Sequence, residues 1–280
     1  MRIPPKNLTP HRTNAFVRPP LEVHWFDVCD STNQQLLAAA ESGAAAGQVY
    51  AARAQVAGRG RRGRHWLAEP GNSLAFSLLW TFPAEPQRLQ GLPLLVGLAV
   101  VDALVALKAH PGLNGPVLGL KWPNDVMLHR AAGMDAKVGG ILVESTTRRS
   151  AMGRPELAVV IGVGLNCLAT DSLQQQIPDR SIGSLSEFFP EAISPELLLV
   201  PVLEGLQRAL VDFEAHGFEP FVEAWNQRDL WQGKRVQIQE AGQIILQGTA
   251  AGVDKTGALC IKTPAGIERV VTGDVSLRKV

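Results

Sequence analysis

Residues 53–66 read RAQVAGRGRRGRHW, and the chain around them is arranged to serve that stretch. Five arginines (Arg53, Arg59, Arg61, Arg62, Arg64) and three glycines (Gly58, Gly60, Gly63) precede Trp66. Between Gly58 and His65 there is neither a helical nor a strand-like apolar repeat, so a loop is expected. Each glycine makes positive φ cheap and lets backbone N–H groups approach a ligand. Each arginine adds a permanent charge on a planar fork that matches carboxylate or phosphate oxygens. A loop whose charges repel one another is expected to be disordered when empty and to order around an anion. A solvated basic face or a nucleic-acid patch would give a similar run of charge. The interleaved glycines, and 27 basic against 26 acidic residues for a net charge of +1, favour a small anion instead.

Working outward, residues 48–54 form a strand candidate that feeds the loop. Upstream of it, 22–26 reads as a short strand. Asp30-Ser31-Thr32-Asn33-Gln34 then opens a helix that stops at Gly43, with Ser31 and Gln34 at capping-box spacing. Downstream, Gly71-Asn72 turns into an alternating strand at 73–80, and 87–108 is expected to be a buried helix with Pro93 near its start. Residues 117–121 run as a strand into Trp122-Pro123-Asn124-Asp125, followed by a second strand at 126–129; the proline holds Trp122 extended and Asn-Asp favours a turn. Lys137-Val138-Gly139-Gly140-Ile141-Leu142-Val143-Glu144 is a strand entered through two glycines, which suggest close backbone approach. A central strand at 156–162 leads to Gly164-Leu165-Asn166. The stretch 167–184 reads as a loop, and 196–216 and 218–228 as helices.

From Lys234 the texture changes to short alternating runs separated by Ala241-Gly242, Lys255-Thr256-Gly257 and Ala265-Gly266. That pattern suggests a small five-stranded barrel docked on the larger body, because so short a module has little stability alone. Residues 1–20, with five prolines, read as a loose tail. The expected organisation is therefore a tail at 1–20, a main domain at 21–231 and a β module at 232–280, in an α+β class.

Composition supports a globular protein: 46% hydrophobic and 19% charged residues. The most apolar run, 94–107, is interrupted by Asp102 and is shorter than the roughly 20 residues of a membrane span. No charged-then-apolar leader opens the chain, and Cys29, Cys167 and Cys260 lack the spacing of a disulfide pair or metal site. A cytoplasmic address with reduced thiols is expected.

Gln55 with GRGRRGRHW resembles the signature loop of biotin protein ligases, and KWPND (Lys121 to Asp125), KVGGILVE and G-x-N at Gly164 to Asn166 are similar to further motifs of that family. The resemblance implies a class II synthetase-like catalytic domain, a mixed sheet with flanking helices, plus an SH3-like C-terminal module. It implies ATP-dependent activation of biotin to biotinyl-5′-AMP and transfer to a lysine of a biotin carrier domain, with ATP, biotin and Mg²⁺ as the small molecules. No protein residue is implied as a metal ligand. On the matching positions, Ser31, Thr32, Asn33, Gln55, Gly58, Arg59, Gly60, Arg61, Gly139, Gly140 and Ile141 would meet biotin. Arg61, Arg62, Arg64, Trp66, Lys121, Asn124, Lys137, Asn166 and Arg278 would meet ATP. Lys137, Arg61, Arg62 and Asp125 would carry the chemistry, with Trp66 or Trp122 as an aromatic wall and 167–184 folding over the adenylate. The implied partner is a carrier domain of the acetyl-CoA carboxylase type. Neither DNA nor membrane is expected, since the tail is too short for the helix-turn-helix that some members carry, and a homodimer is left open. A lipoate–protein ligase, a nucleic-acid-binding protein and a catalytically dead adapter are the alternatives; the lipoate branch uses a different arginine-glycine motif.

Overall fold

The computed structural model describes residues 19–67, 70–108, 115–130, 133–168, 171–177, 181–189, 191, 193–240, 242–271 and 275–279. The expected tail thus lies outside the described residues, apart from Pro19 and Pro20.

Seven strands make the main sheet: β1 (Glu22–Cys29), β2 (Gln48–Gln55), β3 (Ser73–Pro83), β4 (Val117–Lys121), β5 (Asp125–His129), β6 (Asp135–Arg149) and β7 (Pro155–Asn166). Their spatial order is β1-β2-β3-β7-β6-β5-β4. Only β1 and β2 run parallel within this sheet, joined by helix α1 (Thr32–Glu41); the other neighbours are antiparallel. The hairpin β6–β7 is longer than either sequence pattern suggests, because its outer pairs, such as Arg148 opposite Glu156, hold by charge where the apolar alternation has stopped.

The pleat divides the sheet chemically. On one face Leu74, Phe76, Leu78, Trp80 and Phe82 of β3 and Leu157, Val159, Ile161, Val163 and Leu165 of β7 join one core. Helices α2 (Leu92–Leu107) and α4 (Pro195–His216) close it, with α5 (Val222–Arg228) beyond. The helical stretch Pro86–Leu107 is long and apolar enough to cross a membrane, yet ten residues of α2 are buried in this core, which accounts for its composition. Helix α2 starts at Leu92 rather than near residue 87 because Gly91, at φ 77°, breaks a preceding 3-10 turn. A Cβ there would stand 2.4 Å from Phe218 Cγ.

On the opposite face, Leu79, Ala158 and Val160 are covered by Leu36 and Ala40 of α1. Instead of a featureless loop at 167–184, a short helix, α3 (Asp171–Gln176), interrupts the segment. Five antiparallel strands, β8 (Arg235–Glu240), β9 (Gln243–Val253), β10 (Leu259–Thr263), β11 (Gly266–Val270) and β12 (Val275–Lys279), form a second sheet in the order β11-β10-β9-β8-β12. Val236, Ile238, Ala250, Val253, Leu259, Ile261 and Leu277 of this sheet belong to the same contiguous core as the main sheet.

Candidate active site

The α1 face of the sheet changes character along β7. Ala158 and Val160 give way to Gly162, Gly164 and Asn166 on the same face, so side chains shrink where α1 ends. A Cβ at Gly162 would lie 2.2 Å from Asn33 Oδ1, and one at Gly164 would lie 2.4 Å from Trp66 Cε2. The two glycines are therefore seats, one for the N-terminus of α1 and one for the tryptophan that ends the basic loop. The register aligns Ala52, Ala75, Gly164, Gly140, Asp125 and Lys121 side by side across six strands. This row of small residues is a trough whose far end carries charge.

Above the trough lies a cavity of about 320 Å³. Its first end is mostly neutral and polar, with the Arg59–Glu144 ion pair behind Asn33. Ser31 caps α1, accepting from Gln34 N at 3.4 Å, and Gln55 Oε1 accepts from Thr32 N at 2.8 Å. Ser77 Oγ donates to Asn33 Oδ1 at 2.7 Å, which leaves Thr32 Oγ1 free to donate to Ser77 Oγ at 2.8 Å. Asn33 Nδ2 donates to Glu144 at 2.9 Å, and Glu144 in turn pairs with Arg59 at 3.0 Å. Asn33 has both its groups engaged, the Thr32 hydroxyl has a second acceptor in Gln55 Oε1 at 3.3 Å, and Ser31, Thr32 and Asn33 all sit at the cavity wall.

The second end is cationic. Arg61, Arg62, Arg64, Lys121, Lys137 and Arg278 line the cavity here, against Asp125 and Asp135. Lys137 Nζ donates to Asp125 Oδ1 at 2.5 Å, Lys121 Nζ stands 3.8 Å from the same carboxylate, and Trp231 places its ring face 4.4 Å from Lys121 Nζ. Asn124 accepts from Arg61 at 3.1 Å and donates to Ile141 O at 2.8 Å, tying the basic loop to β6. The loop itself is a narrow hairpin: Gly60 N donates to Arg64 O, Trp66 N to Gly58 O, and Arg62 takes the left-handed conformation at φ 61°. Trp66 Nε1 is buried without an acceptor among the described residues.

The structure brings most of the sequence-predicted residues to one place, with two exceptions among the glycines. Gly139 is not at the cavity: its Cβ position faces the core, 2.6 Å from Leu165 Cδ2. Gly58 is also outside the lining, and a side chain there would strike Trp66 O at 2.4 Å, so it serves the loop's closure. Asn166 lines the cavity and donates to Gly183 O at 3.2 Å. The segment around it contributes Leu173, Ile177, Ser181 and Ile182, and Lys137 pairs with Ile182. Sequence reasoning missed Ser77, Trp231 and Leu277. A serine inside the apolar run SLAFSLLW was the one available signal; the other two become visible only when the second sheet docks. Trp122, offered as a wall, is at the cavity and 1% exposed; its peptide bond to Pro123 is cis.

Comparison with known proteins identifies the family. The family model for the biotin/lipoate A/B protein ligase family matches residues 25–166, and that for the biotin protein ligase C-terminal domain matches 233–278. The chain is 31% identical over 251 residues to the bifunctional ligase/repressor BirA of Escherichia coli, covering 90% of this chain and 72% of that one. It is 34% identical over 248 residues to the biotin–[acetyl-CoA-carboxylase] ligase of Mycobacterium tuberculosis, covering 88% and 85%. A solved structure of biotin protein ligase from Aquifex aeolicus in complex with biotin and ATP superimposes with a TM-score of 0.72 at 29% identity, covering 92% of this chain and 99% of that one. With both domains matched in order and the glycine-floored cavity between them, the chain belongs to the biotin/lipoate A/B protein ligase family, among its biotin protein ligases.

Proposed function

We propose that this protein activates biotin with ATP and transfers it to a lysine of a biotin carrier domain. The observation that carries this is the cavity's division into a neutral hydrogen-bonding end and a cationic end over one continuous trough. A ureido ring needs a few fixed donors and acceptors in a small slot, which Ser31, Thr32 and Gln55 supply. A carboxylate joined to a triphosphate needs permanent positive charge, which the opposite end supplies.

In the first step the biotin carboxylate oxygen attacks the α-phosphorus of ATP, and the bond to the β-phosphate oxygen breaks to release pyrophosphate. The carboxylate is ionised at neutral pH, since carboxyl groups titrate near pH 4–5 (~4.3 for Glu), so no general base is needed. Lys137, Arg61 and Arg62 offset the charge that gathers as phosphorus becomes five-coordinate. Asp125 fixes Lys137 for that task. Among the described residues no three His, Cys, Asp or Glu side chains converge on a metal position. Mg²⁺ would enter with the nucleotide and offset phosphate charge alongside Lys137, Arg61 and Arg62.

In the second step a lysine amine attacks the acyl carbon and AMP leaves. The amine has a reference pKa of about 10.4, so it must lose a proton first, and Asp125 is the carboxylate assigned to take it. Loop closure over the trough keeps water from the mixed anhydride. The carrier is assigned to the carboxylase type, supported by the names of the relatives. Cytoplasmic residence is supported by three free cysteines, of which burial pushes Cys167 up to about 12. No DNA-binding role is assigned, and dimer formation is a matter for sedimentation.

The test is biotin-dependent pyrophosphate release from ATP, with lipoate in parallel and a carrier domain added second. Release with biotin, then labelled carrier, is expected. Release with lipoate alone would move the protein to the sister branch, and release with neither would end the enzymatic assignment.

A further inference from the structure

The turn between β9 and β10 makes a backbone-to-backbone contact with the main domain. Asp254 Oδ1 accepts from Thr256 N at 2.8 Å, Thr256 Oγ1 at 2.7 Å and Ala258 N at 3.1 Å, while its other oxygen pairs with Arg269. Burial raises the carboxyl's pKa, but these hydrogen bonds together outweigh it and hold Asp254 below its ordinary value. The turn is thus held by its own hydrogen bonds. Its tip, Gly257 at φ 81°, lies so close to Gly91 that a Cβ would come 2.9 Å from Gly91 Cα and 2.9 Å from Leu94 Cδ1.

The carbonyl of Gly257 accepts the indole N–H of Trp122 at 3.1 Å, across 135 residues of chain. A second clamp lies beside it: Asn226 Oδ1 accepts from Val253 N at 2.8 Å. The far side of the same small sheet carries β12, which brings Leu277 and Arg278 to the cavity. Strand β8 links the two sides, with Gln237 paired to both Arg278 and Gln247.

We infer that the Asp254–Gly257 turn, seated on Trp122 and Gly91, is a latch that sets where Arg278 stands over the nucleotide's phosphates. Trp122 and Gly257 are then positioning residues for ATP and not for biotin. The chain of contacts is short and stiff: Trp122 lies next to Pro123 and Asn124 at the cavity, and a five-stranded antiparallel sheet transmits a shift of the turn to β12 as a rigid tilt. This inference rests on the nucleotide site proposed above.

The experiment compares full-length protein with Gly257→Ala, Arg278→Ala and the double variant. It measures biotin Kd by calorimetry, the ATP dependence of biotin-dependent pyrophosphate release, and amide exchange over 275–279. Gly257→Ala is expected to raise the KM for ATP about tenfold, the scale of one charged contact (~1.4 kcal/mol), with biotin Kd within about twofold. Exchange at β12 should quicken without any ligand present. The double variant should be no worse than Arg278→Ala, since both act through one contact. Losses that multiply in the double variant would overturn the latch, as would parallel loss of biotin affinity or faster exchange with unchanged ATP kinetics. If Gly257→Ala does not fold, Asp254→Asn, which loosens the turn without adding atoms, carries the same comparison with an expected change of about threefold. Failure of the unsubstituted protein to release pyrophosphate or bind ATP would instead overturn the ligase assignment, and the exchange result would still report whether the turn holds β12.

Discussion

A missing methyl group does as much as a charge in this site. At Gly164 a Cβ would lie 2.4 Å from Trp66 Cε2 and 2.8 Å from Nε1, so Gly164→Ala is expected to unseat the end of the basic loop. Ligand binding should weaken by at least about tenfold, while the melting temperature falls by only a few degrees (~1 kcal/mol of strain). Unchanged affinity in calorimetry would show that Trp66 is not part of the closed site. Gln55→Ala removes the acceptor that orients Thr32 and is expected to weaken biotin more than ATP; equal losses would remove Gln55 from the biotin end. Asp229 gives a pH signature. One oxygen accepts from Trp231 N at 2.9 Å, the other is buried without a partner among the described residues, and burial pushes the carboxyl up to about 6. A carboxyl raised in the folded state favours folding when protonated, so its contribution is complete below about pH 4 and is lost as pH rises through about 6. Asp229→Asn should therefore be more stable than the parent at pH 8 by about 1–3 kcal/mol and lose that advantage by pH 4. Urea unfolding at the two pH values checks this, and a variant less stable at pH 8 would refute it.

Helix α1 is tied at both its ends to strand β6. At its N-terminus Asn33 is held by Glu144 of β6; at its C-terminus Arg148 of β6 donates to Ala40 O at 2.9 Å and Ala44 O at 2.6 Å, with Glu156 on its other side. Arg148→Met would leave Glu156 largely buried without its partner and the helix carbonyls uncapped. The expected cost is about 2–4 kcal/mol, with weaker biotin binding because Thr32 moves with the helix. A stable variant with intact affinity would show that α1 is fixed by Leu36 and Ala40 alone. The basic loop is the opposite kind of element. Arg59 to Glu144 and Arg61 to Asn124, both partly exposed, are among its ties to the body, and residues 62–64 at its tip are exposed. Trypsin is expected to cut between Arg59 and Arg64 in the free protein and to be blocked by biotin with a non-hydrolysable ATP analogue. Full protection without ligand would contradict a loop that orders around its anion. The sequence showed that this loop is irregular, but not its hairpin shape, because a bridge between Arg59 and His65 leaves no periodicity to read.

Over the whole molecule, the two sheets share one core. Val236, Ile238 and Leu277 of the small sheet are continuous with the apolar side chains of α2 and α5, and Trp122 donates across the junction. Heating is therefore expected to give one calorimetric transition whose measured and van't Hoff enthalpies agree. Two resolved transitions would mean that the second sheet folds independently and that Arg278 reaches the cavity by docking alone.

Most elements were legible in the chain because apolar period and turn residues act locally: 48–54, 73–80, 117–121 and 126–129 lie within the strands observed. The motif residues Thr32, Gln55, Arg61, Asn124 and Lys137 were recognisable for the same reason, since short spacing survives in a string of letters. Sequence alone therefore determined an α+β protein with a basic, glycine-rich loop, a neutral polar helix start and a β module at the end. The tertiary structure decided which glycine is floor and which is packing. Gly139 and Gly140 are neighbours in sequence, but the pleat sends them to opposite faces of β6. It also decided that Ser77, Trp231 and Leu277 stand around one cavity. Such partners are brought together by strand register and by burial of a shared core, both of which depend on residues far away in the chain.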